Sequence, residues 1–203
     1  MDNHKKSMPL PMTGIILAGG KSSRMGRNKA FLEWEGQPLI ERSLQALSPI
    51  FSELMISTNQ PELYQQYKVK TVRDNYHEQG PLGGLEACLR EANYEYSFFV
   101  ACDMPFIDSE VICHMAGLIG EEWAVVPKFA GQLHPLHAFY HKNCLAVIQK
   151  KLEDKCLKLR AIFSEIPVRY LDDEDFLAYP QIGQVLRNIN SPQDWSELQD
   201  SQA

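Results

Sequence analysis

An apolar run that stops at two glycines constrains this chain of 203 residues more than any other feature. Thr13-Gly14-Ile15-Ile16-Leu17-Ala18 has the near-continuous apolar character of a strand buried on both faces, and Gly19-Gly20 come at once after it. Missing side chains at a sharp turn let backbone N–H groups approach an anion. Lys21, Arg24, Arg27 and Lys29 then place four cations in nine positions, and no Asp or Glu occurs between Asp2 and Glu33, although the whole chain carries a net charge of −6. Local cations in an acidic protein point to a small polyanion such as a nucleoside triphosphate. The segment matches neither common phosphate motif. A Walker A loop needs Gly-Lys where this chain has Gly26-Arg27, and no G-x-G-x-x-G stands after the strand.

Beyond this loop, strand and helix patterns alternate. Pro38–Leu47 carries apolar residues at helical spacing, 54–57 and 69–72 read as short buried strands, and Pro61 opens a short helix to Tyr67. The Gly/Pro-rich stretch 80–84 reads as a connection before a helix from Leu85 to about Glu91. Residues 96–102, aromatic and β-branched, form the clearest central strand and end at Asp103-Met104-Pro105. Asp108 is placed to cap a helix over 109–119. This order predicts an α/β fold of three layers, a mostly parallel central sheet with helices on both faces. The first loop, Asp74, the 80–84 stretch and Asp103 all fall at or just beyond predicted strand ends, where such sheets bind ligands. In the second half, 123–127 and 136–140 read as a hairpin or as neighbouring strands. Helices are expected over 141–152 and 157–163, a strand over 167–170, and a final helix capped at Ser191. One domain is expected over 13–199, with a nucleotide-binding half at about 13–105 and an acceptor-binding half at about 106–199, behind a flexible lead-in of residues 1–12.

Composition closes off several classes. With 44% hydrophobic residues the chain can bury a substantial core without a staple. Its negative charge and the lack of basic runs beyond the first loop argue against nucleic acid. Five scattered cysteines make no C-x-x-C pair, which suits reduced thiols in a cytoplasmic protein. The first twelve residues lack the apolar stretch of a secretory signal, and no run approaches the ~20 residues needed to span a bilayer.

Asp103 is the second candidate for chemistry. A carboxylate just past a buried central strand suits Mg²⁺, which takes oxygen ligands while bridging substrate phosphates. Asp103 as a simple cap is the weaker reading, because Asp108 is the better-placed one. His134, His137 and His141 invite a zinc site, but Pro135 interrupts a common helix and strand geometry sends alternate residues to opposite faces. His134 reads equally as a substrate contact or a plain loop histidine. The acidic run 172–175 reads as a solvated loop.

The pattern L-A-G-G-x-S-x-R-M-G-x-x-K over Leu17–Lys29 resembles the signature loop of the molybdenum cofactor guanylyltransferase family. With it go Asp74, Gly80-Pro81-Leu82-Gly83-Gly84, Cys102-Asp103-Met104-Pro105 and Asn188-Ile189-Asn190-Ser191-Pro192. Gly20 and the Asn-x-Asn-Ser-Pro end resemble the guanylyl branch more than the cytidylyl one. The resemblance covers Gly14 to about Leu198 and implies a Rossmann-like fold of the nucleotide-diphospho-sugar-transferase type. It implies GTP contacts from Leu17, Ala18, Gly19, Gly20, Lys29, Asp74 and Asp103, and Mg²⁺ on Asp103. Arg24, Lys29 and Asp103 would carry catalysis. Gly83, His134, Asn188 and Asn190 would line the side that takes the pterin substrate. Some family members use an Asn at the end of the second strand, where this chain has Ser57, with Asn59 two residues on. The implied reaction joins GMP from GTP to the terminal phosphate of molybdenum-molybdopterin and releases pyrophosphate. Implied partners are cofactor-synthesis and molybdoenzyme delivery proteins. A cytidylyltransferase, a sugar-phosphate nucleotidylyltransferase and a nucleotide binder without turnover are the competing readings.

Overall fold

The computed structural model describes residues 8–18, 28–74, 79–191 and 193–196. Strand β1 (Leu10–Leu17) is followed by a 3-10 turn at Lys29–Phe31, the short strands β2 (Glu33–Trp34) and β3 (Gln37–Pro38), helix α1 (Leu39–Leu47) and strand β4 (Phe51–Ser57). After a 3-10 segment at Pro61–Tyr67 come β5 (Lys70–Val72), α2 (Gly80–Glu91), β6 (Tyr96–Ala101) and α3 (Ser109–Gly117). The remainder holds β7 (Ala124–Phe129), β8 (Gln132–Leu133), β9 (His137–His141), α4 (Leu145–Glu153), β10 (Val168–Leu171) and the one-turn α5 (Ile182–Val185).

The main sheet runs β10-β7-β9-β6-β1-β4-β5, with β8 paired to β7. Pairing is parallel across β6-β1-β4-β5 and between β10 and β7, and β9 alone lies antiparallel to both its neighbours. The fold is therefore a Rossmann-like α/β arrangement with a mostly parallel central sheet. Side chains alternate along each strand and feed two cores. Ile16, Phe98, Val100 and Phe139 pack with α1 and α3 on one face, and Ile15, Leu17, Phe99 and Tyr140 pack with α2 and α4 on the other. Strands buried on both sides must be apolar at nearly every position, which is why β1 and β6 stand out in the sequence.

Several local expectations are corrected. Helix α2 begins at Gly80 rather than after Gly84, so the glycine-rich stretch is its first turns and not a connection. The short helices expected over 61–67 and 157–163 are 3-10 segments at Pro61–Tyr67 and Leu159–Ile162. Of the two arrangements expected for the second half, β7 and β9 take that of neighbouring strands, antiparallel, and a tight β7–β8 turn fills the stretch between them. The acidic run is ordered: Asp172 and Asp175 form a reciprocal capping box, and Asp173 accepts from the Ala130 N–H at 2.9 Å. Asp108 caps α3 as expected, accepting from the Glu110 and Val111 N–H groups.

Candidate active site

The chain walks from β1 to β4 to β5 in one direction, then crosses back to lay β6 on the other side of β1. That reversal opens a crevice at the carboxyl ends of β1 and β6. The exit of β6 is fixed by backbone bonds on both sides: the Cys102 N–H donates to the Leu17 carbonyl at 3.1 Å, and the Ala101 N–H to the Leu136 carbonyl at 3.1 Å. Met104, 1% exposed, turns inward, so the chain is locked on either side of Asp103 while its carboxylate stays partly open at 15% exposure.

Asp103 gathers three residues distant in sequence. Its Oδ2 meets Lys29 Nζ at 2.8 Å, its Oδ1 accepts from Asn188 Nδ2 at 3.3 Å, and its backbone carbonyl accepts from the Ile189 N–H at 2.8 Å. Lys29 Nζ also donates to the Ile189 carbonyl at 2.8 Å. The C-terminal segment is thus strapped across Asp103 and Lys29 at once. Ile189, 2% exposed, is held in a separate apolar cluster with Trp34, Leu39, Phe106 and Trp195. The β2–β3 hairpin presents Trp34 to this cluster, and its turn residues Glu35 and Gly36 both have positive φ (52° and 73°), the primed geometry that suits a two-residue hairpin. A cavity of about 590 Å³ lined by Phe31, Leu32, Glu33, Trp195 and Asn28 opens beside the Lys29 turn.

At the far edge of the crevice Asp74 lies two residues beyond β5. Its N–H donates to Asn59 Oδ1 at 3.1 Å, and Asn59 Nδ2 donates to its Oδ2 at 3.2 Å. Asn59, rather than the buried Ser57, therefore meets the acid. Helix α2 packs its glycines against these strand ends. A Cβ on Gly84 would stand 2.6 Å from Ser57 Oγ, 3.1 Å from Leu17 Cδ2 and 3.4 Å from Asp74 Oδ1, so only glycine lets the helix approach this closely. Gly83 is buried in the same turns. Among the described residues the first turn of α2 contains no acid and has no side-chain cap, an arrangement whose N–H groups and positive dipole end suit an anion.

The thiols offer no nucleophile here. Burial pushes Cys102, next to Asp103, up to about 12, and does the same to Cys88. Among the described residues no group of three or more His, Cys, Asp or Glu gathers as a metal cage. His137 is fully buried with neither ring nitrogen hydrogen-bonded; burial and, secondarily, neighbouring His134 hold it neutral, pulling it down to about 3 against the opposing Asp108. Burial, with Arg160 nearby, likewise lowers His134. Both sit near the β6 carboxyl edge, because His137 pairs with Val100 in the antiparallel register.

The structure thus brings Lys29, Asp103 and Asn188 together. It sets Leu17 and Ala18 at the end of β1, Asp74 at the neighbouring edge and Gly83 in α2. Asn190 is exposed, and its backbone N–H donates to Asp194 Oδ2 at 2.8 Å. Gly19, Gly20 and Arg24 lie outside the described residues. The sequence did not single out Asn28 or Tyr64, whose side chains bond each other at 3.3 Å beside the Lys29 turn; a buried aromatic in a short helix gives no signal to set it apart from core.

A family model described as "MobA-like NTP transferase domain" matches residues 14–170. The chain belongs to this family. A relative from Clostridium perfringens (strain 13 / Type A), named "Probable molybdenum cofactor guanylyltransferase", is 36% identical over 92% of this chain and 95% of its own length. Another of the same name from Natranaerobius thermophilus is 34% identical over 90% of this chain and 92% of its own. The crystal structure of molybdopterin-guanine dinucleotide biosynthesis protein A from Archaeoglobus fulgidus superposes with a TM-score of 0.83 at 24% identity, covering 94% of this chain and 98% of that one. In this member of the family Lys29 and Asp103 meet at the carboxyl ends of β1 and β6.

Proposed function

We propose that the protein transfers GMP from GTP to the terminal phosphate of molybdenum-molybdopterin, forming the guanine dinucleotide form of the cofactor and releasing pyrophosphate. The observation that carries this reading is the Lys29–Asp103–Asn188 cluster, which joins the nucleotide-side strand ends to the C-terminal segment in one network. The names of the curated relatives support the nucleotide and the acceptor.

The acceptor phosphate is already a nucleophile, so the chain needs no serine or cysteine to attack the α-phosphorus. An acceptor oxygen bonds to the α-phosphorus as the bond to the bridging oxygen breaks, and the electron pair leaves with pyrophosphate. The protein's task is to align two anions and offset the charge on the leaving group. Lys29 is the described cation for that work. Facing the phosphates, it would give up its contact with Asp103, and Asp103 would be free to take a metal. Arg24, Gly19 and Gly20 are assigned by resemblance to the leaving phosphates and to backbone contacts beside Leu17 and Ala18. Asp74, with Asn59, would hold the nucleotide at the β5 edge. Asn188, Asn190, Gly83 and His134 would face the pterin substrate.

Asp103 fits Mg²⁺ as a single hard oxygen donor, partly open and set at a strand end, with substrate phosphates and water completing the shell. When bound, the ion would neutralise charge developing on the transferred phosphate. We place the protein in the cytoplasm on its five free thiols. Among the described residues no helix is long and apolar enough to cross a membrane.

The test is pyrophosphate release from GTP and Mg²⁺ with and without molybdenum-molybdopterin. Release that needs the pterin and fails with CTP is expected. Release with CTP alone would move the protein to cytidylyl transfer, and silence with every nucleotide would leave a binder.

A further inference from the structure

Tyr64 sits in the 3-10 segment between β4 and β5, with its ring fully buried. The ring packs on Phe31 at 5.2 Å and Tyr67 at 6.4 Å between centroids, contacts that a phenylalanine would make equally well. Burying a hydroxyl costs free energy unless it is bonded. This one donates to the Ala18 carbonyl at 3.3 Å and accepts from Asn28 Nδ2 at 3.3 Å. Burial raises the phenol's pKa above its ordinary value, so it stays protonated and can donate at neutral pH.

The two partners are the described residues on either side of segment 19–27. Ala18 ends the first strand, and its N–H is fixed on the Ser57 carbonyl at 2.9 Å. Asn28 caps the turn that carries Lys29: its Oδ1 accepts from the Ala30 N–H at 3.1 Å, and its carbonyl from the Phe31 N–H at 3.1 Å. With Asn28 Nδ2 on the phenol, the amide has one orientation left, the one in which Oδ1 faces the turn. A continuous chain of contacts therefore runs from the end of β1 through Tyr64 Oη and the Asn28 amide to the Lys29 turn, and on through Nζ to Asp103.

We infer that Tyr64 is a positioning residue: its hydroxyl fixes the Lys29 turn relative to the end of β1, so that the lysine meets the phosphates of a nucleotide whose other contacts come from that strand end. The inference rests on the nucleotide-transfer reading above. Both contacts are long for O–H···O and N–H···O bonds, so a modest effect is expected.

Tyr64→Phe, Asn28→Ala and the double variant test it in the full-length protein. In unliganded Tyr64→Phe, amide exchange at Ala30 and Phe31 should quicken by about threefold to tenfold while Ile16 and Phe99 keep their protection. Turnover with GTP should fall by a similar factor with little change in melting temperature. The double variant should be no slower than Asn28→Ala alone, since both break one chain of contacts. Unchanged exchange at Ala30 and Phe31, changed exchange without any loss of turnover, or additive losses in the double variant would each overturn the inference. If the wild type turned over no nucleotide, the transfer reading would fail, and the exchange experiment would still decide whether Tyr64 holds the turn.

Discussion

Asp103 and Asp74 stand beyond two strands of one sheet, yet their surroundings differ in kind. Asp103 is bound through both carboxylate oxygens and its backbone carbonyl, to Lys29, Asn188 and Ile189. Asp74 makes a two-point exchange with an exposed neighbour, Asn59. The first acid is the centre of a network that ties residues 74 and 85 positions away to one point. The second forms a local clasp between adjacent strand ends. A centre of this kind couples distant segments when it changes, whereas a clasp disturbs its own edge, so the two acids should respond to substitution on different scales.

Asp103→Ala should give the largest effect. It removes the oxygen donor proposed for the metal and leaves Lys29 without its carboxylate, and pyrophosphate release should fall by about 10³-fold. Circular dichroism should show the fold retained, since a partly exposed side chain is being removed. Lys29→Ala should follow at about 10²-fold, with Lys29→Arg recovering only part, because a planar guanidinium does not reproduce the ammonium's two simultaneous contacts. Near-normal turnover in either alanine variant would break the comparison at its strong end.

Asn188→Ala sits between the two regimes. It removes one hydrogen bond to a charged group but leaves the Ile189 strap in place through its backbone and its apolar cluster. We expect about fivefold in KM for the pterin substrate with KM for GTP unchanged. Asn59→Ala should be smaller and of opposite selectivity: an exposed pair is worth a fraction of a buried one, and KM for GTP should rise about threefold with that for the acceptor unmoved. If Asn188→Ala moved the GTP term and Asn59→Ala the acceptor term, the proposed division of the crevice would be reversed.

The two regions also differ in how far the sequence reveals them. β1 and β6 are legible because burial on both faces writes an apolar run ending at glycine or aspartate. The site elements at their ends follow from topology. The start of α2 is misread because Gly80-Pro81 and two further glycines have poor helix propensity. Packing reverses the local preference, since a side chain at Gly84 would collide with Ser57. The Lys29–Ile189 contact spans 160 positions and has no local signature, because each residue alone is ordinary. Likewise nothing near Tyr64 reveals that its hydroxyl bonds Ala18 and Asn28, one on each side of residues 19–27.

The smallest effect on chemistry should come from His137, which serves as a control on the whole comparison. It lies at the same sheet edge, but it is fully buried and T-stacked on Phe98 at 4.9 Å, with neither nitrogen bonded. Its folded pKa, pulled down to about 3, lies below the ordinary histidine value near 6.5. Between these values the unfolded chain binds a proton that the native state refuses, so acid favours unfolding. The native state gains from this group nothing that grows toward low pH; it carries a penalty that begins as pH drops below about 6.5 and deepens until about 3. Between pH 7.5 and 5 the loss should be on the order of 2 kcal/mol, read as a fall in the urea midpoint. His137→Leu should flatten that slope while leaving KM for both substrates within about twofold. A variant that flattened the slope and also abolished turnover would place His137 in the chemistry. One that left the slope unchanged would assign the acid sensitivity to other groups.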